Sequence, residues 1–304
     1  MAVTNILDAI GNTPLINFES TWVKCEYLNP SGSIKARIAK YMIQRAEREG
    51  LIKPGDTIVE ATSGNTGNAV SMVGAVMGYK VIVVMPSAFS KERVAISRAF
   101  GAEVKLVGEF DVSEALRTAA ELGKKDGFWC PRQFDNEWNV EENETWMTDE
   151  IISQLPKGVK IDAIVQGVGT GGTLVGVARG LKKKHNKDLK VFAMEPDEAA
   201  TIKCGEFREH LIEGISDGFV PTIYQRHQNE VDEVITIKGM DSVKMMKELA
   251  AKHGTFVGPS SGANWLAAQE IKLKYPDIKN VLTFFCDEGE KYIYQHFTQE
   301  LANK

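Results

Sequence analysis

Gln166-Gly167-Val168-Gly169-Thr170-Gly171-Gly172-Thr173 follows the mostly apolar run 161–165 and opens an amphipathic stretch over residues 173–185. The order is strand, glycine-rich loop, helix. Glycines there let the backbone come close to a ligand. The free N–H groups of a helix start favour an anion. Thr170 and Thr173 add hydroxyl donors. The segment therefore reads as a phosphate loop on an α/β scaffold. An ordinary strand-to-helix turn is the plainer alternative, but four glycines exceed what a turn needs. Gly167-x-Gly169-x-x-Gly172 also fits the dinucleotide fingerprint, with Glu195 placed where a ribose-binding acid would stand.

The same alternation runs outward in both directions. Strands are predicted at residues 22–27, 57–60, 80–85, 161–166, 189–194, 234–237 and 280–285. Helices are predicted at 33–49, 66–77, 91–100, 112–125, 140–155, 173–185, 240–253 and 263–274. Alternating strands and helices predict parallel sheets covered by helices. The strands are near-continuous apolar runs, as expected when both faces are buried. Two α/β blocks follow, with ligand loops at the carboxyl ends of the strands. The loops are expected to face each other across a cleft.

Two more segments carry chemistry. In Asn29-Pro30-Ser31-Gly32-Ser33-Ile34-Lys35, Pro30 and Gly32 predict a turn and Ser33 a helix cap. Lys35 then falls in the first helical turn. Burial and the positive end of a helix dipole disfavour an ammonium, so an amine there can act as nucleophile and base. The loop Thr62-Ser63-Gly64-Asn65-Thr66-Gly67 offers hydroxyls, an amide and a helix start, a set that suits the carboxylate of an amino acid. An amine able to form an imine, together with a phosphate loop, points to pyridoxal phosphate, which carries an aldehyde and a phosphate. A dinucleotide oxidoreductase gives no account of Lys35 or of the Thr62–Gly67 loop. A non-catalytic relative that only binds cofactor or a peptide is a third reading.

Composition narrows the class. With 304 residues, 43% of them hydrophobic and 25% charged, the chain is a globular protein of two domains. A net charge of -5 argues against nucleic acid or an anionic membrane as partner. Cys25, Cys130, Cys204 and Cys286 have neither zinc-site nor disulfide-framework spacing, which predicts reduced thiols in the cytoplasm and no metal. No apolar run is long enough to span a bilayer.

Taken together, Pro30-Ser31-Gly32-Ser33-Ile34-Lys35, Glu60-Ala61-Thr62-Ser63-Gly64-Asn65-Thr66-Gly67 and Gly167–Thr173 resemble the cysteine synthase and cystathionine β-synthase family. Further matches are Gly11-Asn12-Thr13-Pro14-Leu15, Met85-Pro86 with Ser90-x-Glu92-Arg93, Glu195-Pro196, Glu213-Gly214-Ile215, Ser260-Ser261-Gly262 and Gly289-Glu290-Lys291-Tyr292. The resemblance covers almost the whole chain, in order. Cys286-Asp287-Glu288-Gly289 is most similar to the B-type cysteine synthases, and the chain also resembles bacterial members that release hydrogen sulfide from cysteine.

The resemblance implies a fold-type II pyridoxal phosphate enzyme, tryptophan synthase β-like. Its two three-layer α/β domains would have mainly parallel sheets and the active site in the cleft between them. Residues 1–35 and 141–304 would form the larger, cofactor-binding domain, and 36–140 a smaller, mobile one. Lys35 would carry the cofactor. Asn65 would contact its ring hydroxyl, and Gly169, Thr170, Gly171, Gly172 and Thr173 its phosphate. Ser260, or less directly Cys286, would meet the ring nitrogen. Thr62, Ser63, Asn65, Thr66 and Gln133 would bind the substrate carboxylate. A homodimer and a small amino-acid substrate are implied too.

The implied activity is β-replacement or β-elimination through an aminoacrylate. The favoured direction takes L-cysteine, releases sulfide and adds water to give L-serine, because a thiol leaves readily. The alternative makes L-cysteine from O-acetyl- or O-phosphoserine and sulfide. The water route needs a carboxylate, and Asp232, at a strand mouth, is the candidate among Glu213, Asp217, Asp232, Asp287 and Glu288. The family pattern is broken at Asn143, where a histidine is usual, and at Thr148-Asp149, where Gly-Pro is usual. These departures put the pocket beside Gln133, and with it the usual acetylated or phosphorylated serine substrate, outside that pattern.

Overall fold

The computed structural model describes residues 3–87, 91–109 and 112–298. Ser90, one of the matched motif residues, lies outside them. In chain order the elements begin with β1 (Leu15–Phe18), β2 (Thr21–Cys25), α1 (Lys35–Arg48), β3 (Thr57–Ala61) and α2 (Asn65–Met77). Next come β4 (Lys80–Pro86), α3 (Lys91–Ala99), β5 (Glu103–Val107), α4 (Val112–Leu122) and β6 (Phe128–Trp129). Then follow α5 (Trp138–Glu142), α6 (Thr148–Gln154), β7 (Ala163–Gly167), α7 (Gly172–Lys184), β8 (Lys190–Pro196) and α8 (Thr222–His227). The last are β9 (Glu233–Ile237), α9 (Gly239–His253), α10 (Pro259–Lys274) and β10 (Val281–Phe285).

The chain packs as two compact units. One comprises Met1–Gly11 and Asn29–Asn139, the other Asn12–Leu28 and Val140–Lys304. Lys35 thus belongs with the smaller unit; the division falls at Leu28/Asn29 rather than after residue 35.

The smaller unit is built on a parallel sheet of order β5-β4-β3-β6. Every residue of β3 is buried, and Val59, Ala61 and Val84 pack against Ala115 and Ala119 of α4. The larger unit has a six-stranded sheet, β1-β2-β10-β7-β8-β9, parallel except for the β1–β2 hairpin. β2, β7 and β10 are buried throughout. β2 nonetheless contains a lysine. Lys24 Nζ donates to the Thr13 carbonyl, to Glu150 of α6 and to Gln154 Oε1 at 2.8 Å, so its buried charge is fully met.

The stretch 140–155, expected as one helix, is interrupted. A π turn, Asn143–Met147, separates α5 from α6. Thr148 Oγ1 donates to the Asn143 carbonyl at 2.8 Å and Thr145 Oγ1 to the Glu141 carbonyl at 2.7 Å. α7 lies directly against this turn. A Cβ on Gly176 would stand 2.4 Å from the Val140 carbonyl oxygen and 2.6 Å from Asn143 Cβ; on Gly180 it would stand 2.4 Å from Thr148 Oγ1. Asn143 and Thr148, two of the departures from the family pattern, are therefore buried packing residues beneath α7.

Gly176→Ala tests this contact. Alanine favours a helix by about 1 kcal/mol over glycine, but the collision is with backbone and overpacking outweighs the gain. The expected net loss is about 1–3 kcal/mol, read as a lower urea midpoint. A variant as stable as the parent would show that α7 and the π turn are not in close contact.

Candidate active site

β7 delivers the phosphate loop. The Val168 N–H donates to the Met194 carbonyl at 2.9 Å, continuing the ladder, and the Gly167 N–H to Asn264 Oδ1 at 2.8 Å. Gly171 caps α7 with φ 88°, and no side chain closes the helix start. The first turn of a helix leaves its N–H groups without helical partners. Of these, the Gly172 N–H finds Thr170 Oγ1 at 3.2 Å. A Cβ on Gly169 would lie 2.9 Å from the Gly214 carbonyl oxygen, and Ser216 N–H donates to the Val168 carbonyl at 3.2 Å. The Gly214–Ser216 segment thus braces the loop from behind. A glycine-lined cradle of donors at a helix start fits a phosphate.

Glu195 does not act as a ribose acid. Its two carboxylate oxygens accept the Ile202 and Lys203 N–H groups at 2.8 and 2.9 Å, and burial raises its pKa. The dinucleotide reading loses its acid.

The carboxyl end of β10 adjoins that of β7. Cys286 follows β10, and its N–H donates to Ser261 Oγ at 2.9 Å. Its Sγ accepts from Gln166 Nε2 at 3.3 Å and from Asn264 Nδ2 at 3.4 Å. The Gly258 N–H donates to the Asp287 carbonyl at 3.0 Å, so α10 begins beside the same strand end. Ser260, buried in its first turn, and Cys286 therefore both stand at the sheet edge that carries the phosphate loop. Asn264, which sequence reasoning missed, ties α10 to both strands: its Nδ2 also donates to Gln166 Oε1 and the Phe284 carbonyl, each at 2.9 Å.

Asp232 is a correction. It precedes β9, at the amino end of the strands. Its Oδ2 accepts the Val191 N–H at 2.8 Å, and its Oδ1 pairs with Lys190 at 3.1 Å. Lys190 is level with Ala163, whereas Gly167 is level with Met194. Four strand residues, about 13 Å at the usual rise, separate that level from the phosphate loop. Asp232 caps the start of β8 and is not part of the site.

In the smaller unit, Lys35 is the first residue of α1 and half-buried. Gly32, at φ 66°, closes the preceding turn through its N–H to the Asn29 carbonyl at 2.7 Å. Ser33 is not the cap. Ile34 takes that position, and Ser33 Oγ reaches the Lys35 N–H only at 3.4 Å.

In the Thr62–Thr66 loop several polar groups brace one another. Thr62 Oγ1 accepts the Gly64 N–H at 2.9 Å. Gly64 is pressed against Arg93, whose Cδ would lie 1.9 Å from a Cβ. Thr66 Oγ1 donates to Gln133 Oε1 at 2.6 Å, and Gln133 Nε2 to the Ala61 carbonyl at 2.9 Å. Thr62, Thr66 and Gln133 are buried; Ser63 and Asn65 are half-buried. Beneath the loop, Glu60 is fully buried. Burial raises its pKa to about 8, against the lowering effect of the Ala61, Gln133 and Arg132 N–H groups.

A family model described as "Pyridoxal-phosphate dependent enzyme" matches residues 6–287. A cysteine synthase of Staphylococcus aureus is 39% identical over 300 residues, covering 96% of both chains. The crystal structure of an O-ureido-L-serine synthase superposes with a TM-score of 0.91 at 36% identity, covering 98% of this chain and 96% of that one. A hydrogen sulfide-producing enzyme from Fusobacterium nucleatum superposes at 0.89 with 35% identity, covering 96% of this chain and all of the other.

Glu60 gives a pH test. Its folded pKa, about 8, lies above the ordinary 4.5. Folding thus favours the protonated form. That contribution is fully present below pH 4.5 and is lost as pH rises through 8. Glu60→Gln should flatten the fall of melting temperature between pH 5 and pH 8. An unchanged slope would mean that other groups set it.

Proposed function

The chain belongs to the pyridoxal-phosphate dependent enzyme family, and on that premise we propose that it exchanges the Cβ substituent of an L-serine or L-cysteine derivative, with sulfide as one of the exchanged groups. The observation that carries this is the donor-lined glycine cradle at the start of α7, with Gly169 against the Gly214 carbonyl. Pyridoxal phosphate, when bound, supplies an aldehyde that captures an amine and a ring that draws electrons from Cα.

The residues divide the remaining work. Lys35 Nζ would hold the cofactor, and the backbone of Gly169, Thr170, Gly171, Gly172 and Thr173 its phosphate. Ser260 would offer a neutral hydroxyl to the ring nitrogen, and Asn65 an amide to the ring hydroxyl. Ser63 and Asn65 would meet the substrate carboxylate, while Thr62, Thr66 and Gln133 hold the loop in shape. Lys35 Nζ takes the Cα proton as general base. The Cβ substituent then leaves with its bonding electrons. Once the incoming nucleophile has bonded to Cβ, the same Nζ returns the proton to Cα.

Two directions fit these roles. Cysteine formation from an O-activated serine and sulfide is supported by the cysteine synthases among the relatives. The departures at Asn143 and Thr148 pack beneath α7, so they give no reason to reject that substrate. Sulfide release from L-cysteine, with water giving L-serine, is supported by the hydrogen sulfide-producing neighbour. With Asp232 removed from the site, that route lacks the carboxylate assigned to it.

Purified protein is to be given L-cysteine, and separately O-acetylserine with sulfide, while sulfide, serine, pyruvate and cysteine are measured. Sulfide with serine selects the first substrate; cysteine selects the second. Neither product in either assay overturns the proposal. Lys35→Ala should lower turnover by about 10³-fold or more. Mass spectrometry of the borohydride-reduced holoprotein should find the cofactor on the Lys35 peptide, and an adduct elsewhere refutes that role.

Gly169→Ala should raise the dissociation constant for the cofactor about tenfold or more, measured by fluorescence titration of the apoprotein. The added methyl would meet a backbone carbonyl at 2.9 Å. Unchanged affinity would remove the cradle from the phosphate site.

A further inference from the structure

We propose that Glu60 is a positioning residue: by accepting N–H groups from Ala61 and Gln133, its carboxyl group locks the end of β3 to the Pro131–Gln133 turn and fixes the Thr62–Thr66 loop for the substrate's carboxylate. The proposal rests on the reading of that loop as the substrate loop, and it adds a residue that touches neither substrate nor cofactor.

The geometry is a reciprocal clasp. Glu60 Oε1 accepts the Ala61 N–H at 3.0 Å, and Oε2 the Gln133 N–H at 3.3 Å. Gln133 answers with its own side chain, donating to the Ala61 carbonyl at 2.9 Å and accepting from Thr66 Oγ1 at 2.6 Å. Asn139 Nδ2 holds the Gln133 carbonyl at 2.9 Å. Glu60 and Gln133 thus each bind the backbone of the other's segment. Thr66, in the first turn of α2, is carried on the result.

The turn is held in a costly shape. Arg132 has φ 58°, left-handed for a residue with a side chain. Such a conformation is strained and persists where neighbours over-determine it. Here the Asp135 and Asn136 N–H groups hold the Arg132 carbonyl at 2.9 and 3.0 Å, and Asn136 Nδ2 the Pro131 carbonyl at 3.0 Å. Glu60 supplies the tie from the sheet side.

Charge gives the clasp a second consequence. Among the described residues Glu60 forms no ion pair. The Arg132 guanidinium reaches it only weakly and is paired with Asp135. The Cys130 thiol, kept protonated by burial and by Glu60 itself, faces it from the end of β6. While Glu60 is protonated, an incoming carboxylate meets a neutral floor under the loop. Once it ionises, at about pH 8, the same floor repels an anion.

The test uses holoenzyme and whichever amino-acid substrate turns over. Glu60→Gln keeps one acceptor and turns an N–H toward the Gln133 N–H. KM at pH 7 should rise about three- to tenfold, as for one lost hydrogen bond, with kcat within about twofold. Between pH 7 and 9 the parent's KM should climb and the variant's stay level. A variant with the parent's KM, or with the same climb, overturns the proposal.

Thr66→Val cuts the clasp from the other side without touching the buried carboxyl group. It should raise KM and keep the climb, so the proposal stays open to refutation even if Glu60→Gln folds poorly. An unchanged KM in Thr66→Val also overturns it. Ser63→Ala separates the two levels. A raised KM there, with normal Glu60→Gln behaviour, sinks only Glu60; an unchanged KM removes the substrate loop and the proposal together.

Discussion

The start of α7 is the constraint on which the larger unit turns. A helix that begins at the end of a buried strand presents several N–H groups with no carbonyl above them. Leaving such groups buried and unpaired costs about 1–3 kcal/mol each, so they call for an acceptor. Among the described residues, the Gly172 N–H meets Thr170 Oγ1 at 3.2 Å from within the loop. Glycines at 169 and 171 keep the neighbouring volume clear of side chains, and the Gly214 carbonyl supports the loop from behind. The result is a glycine-lined helix start without a side-chain cap, a setting that favours an anionic group.

That gap has value only if the helix is held in place. α7 is seated by small residues against the π turn, where Gly176 and Gly180 admit the Val140 and Glu144 backbone. The π turn is stabilised in turn by Thr145 and Thr148, whose hydroxyls return to main-chain carbonyls. Asn143 and Thr148 are therefore explained by packing.

What was legible from sequence was whatever acts locally. The glycines of 167–173 and the apolar runs of β2, β3, β4, β7, β8, β9 and β10 announce themselves, because each depends on its own few residues. β1 was missed because its hairpin turns through Glu19 and Ser20, at φ 51° and 67°. Tight hairpins of that kind are signalled by Asn-Gly or Asp-Gly, and neither is present. β5 was missed because it is an exposed edge strand with charges among its apolar residues. The π turn left no trace in the hydrophobic pattern of 140–155. Asp232 was misplaced by strand polarity: a residue that precedes a parallel strand stands at the amino edge, away from the ligand loops. Glu60 and Asn264 were invisible, since an acid at a strand end and an amide in a helix read as solvent-facing until their distant partners are known: Gln133 lies 73 positions from Glu60, and Gly167 and Gln166 lie 97 and 98 from Asn264.

Two lysines show why burial alone does not identify the amine proposed to carry the cofactor. Lys24 is wholly buried on β2, a setting that favours a neutral amine when it is isolated. It is not isolated: Glu150 supplies the opposing charge, and the Thr13 carbonyl and Gln154 take its remaining hydrogens. Removing one partner of such a pair costs about 3–5 kcal/mol, so Lys24 is a structural element of the larger unit. Lys35 is only half-buried, at the first position of α1. It follows a turn that ends in glycine and serine, with no acidic residue in the first turn of its helix. Burial alone therefore points to Lys24, which its ion pair with Glu150 ties to a structural role. The better criterion is whether the surrounding structure commits the amine to its charge, and at position 24 it does.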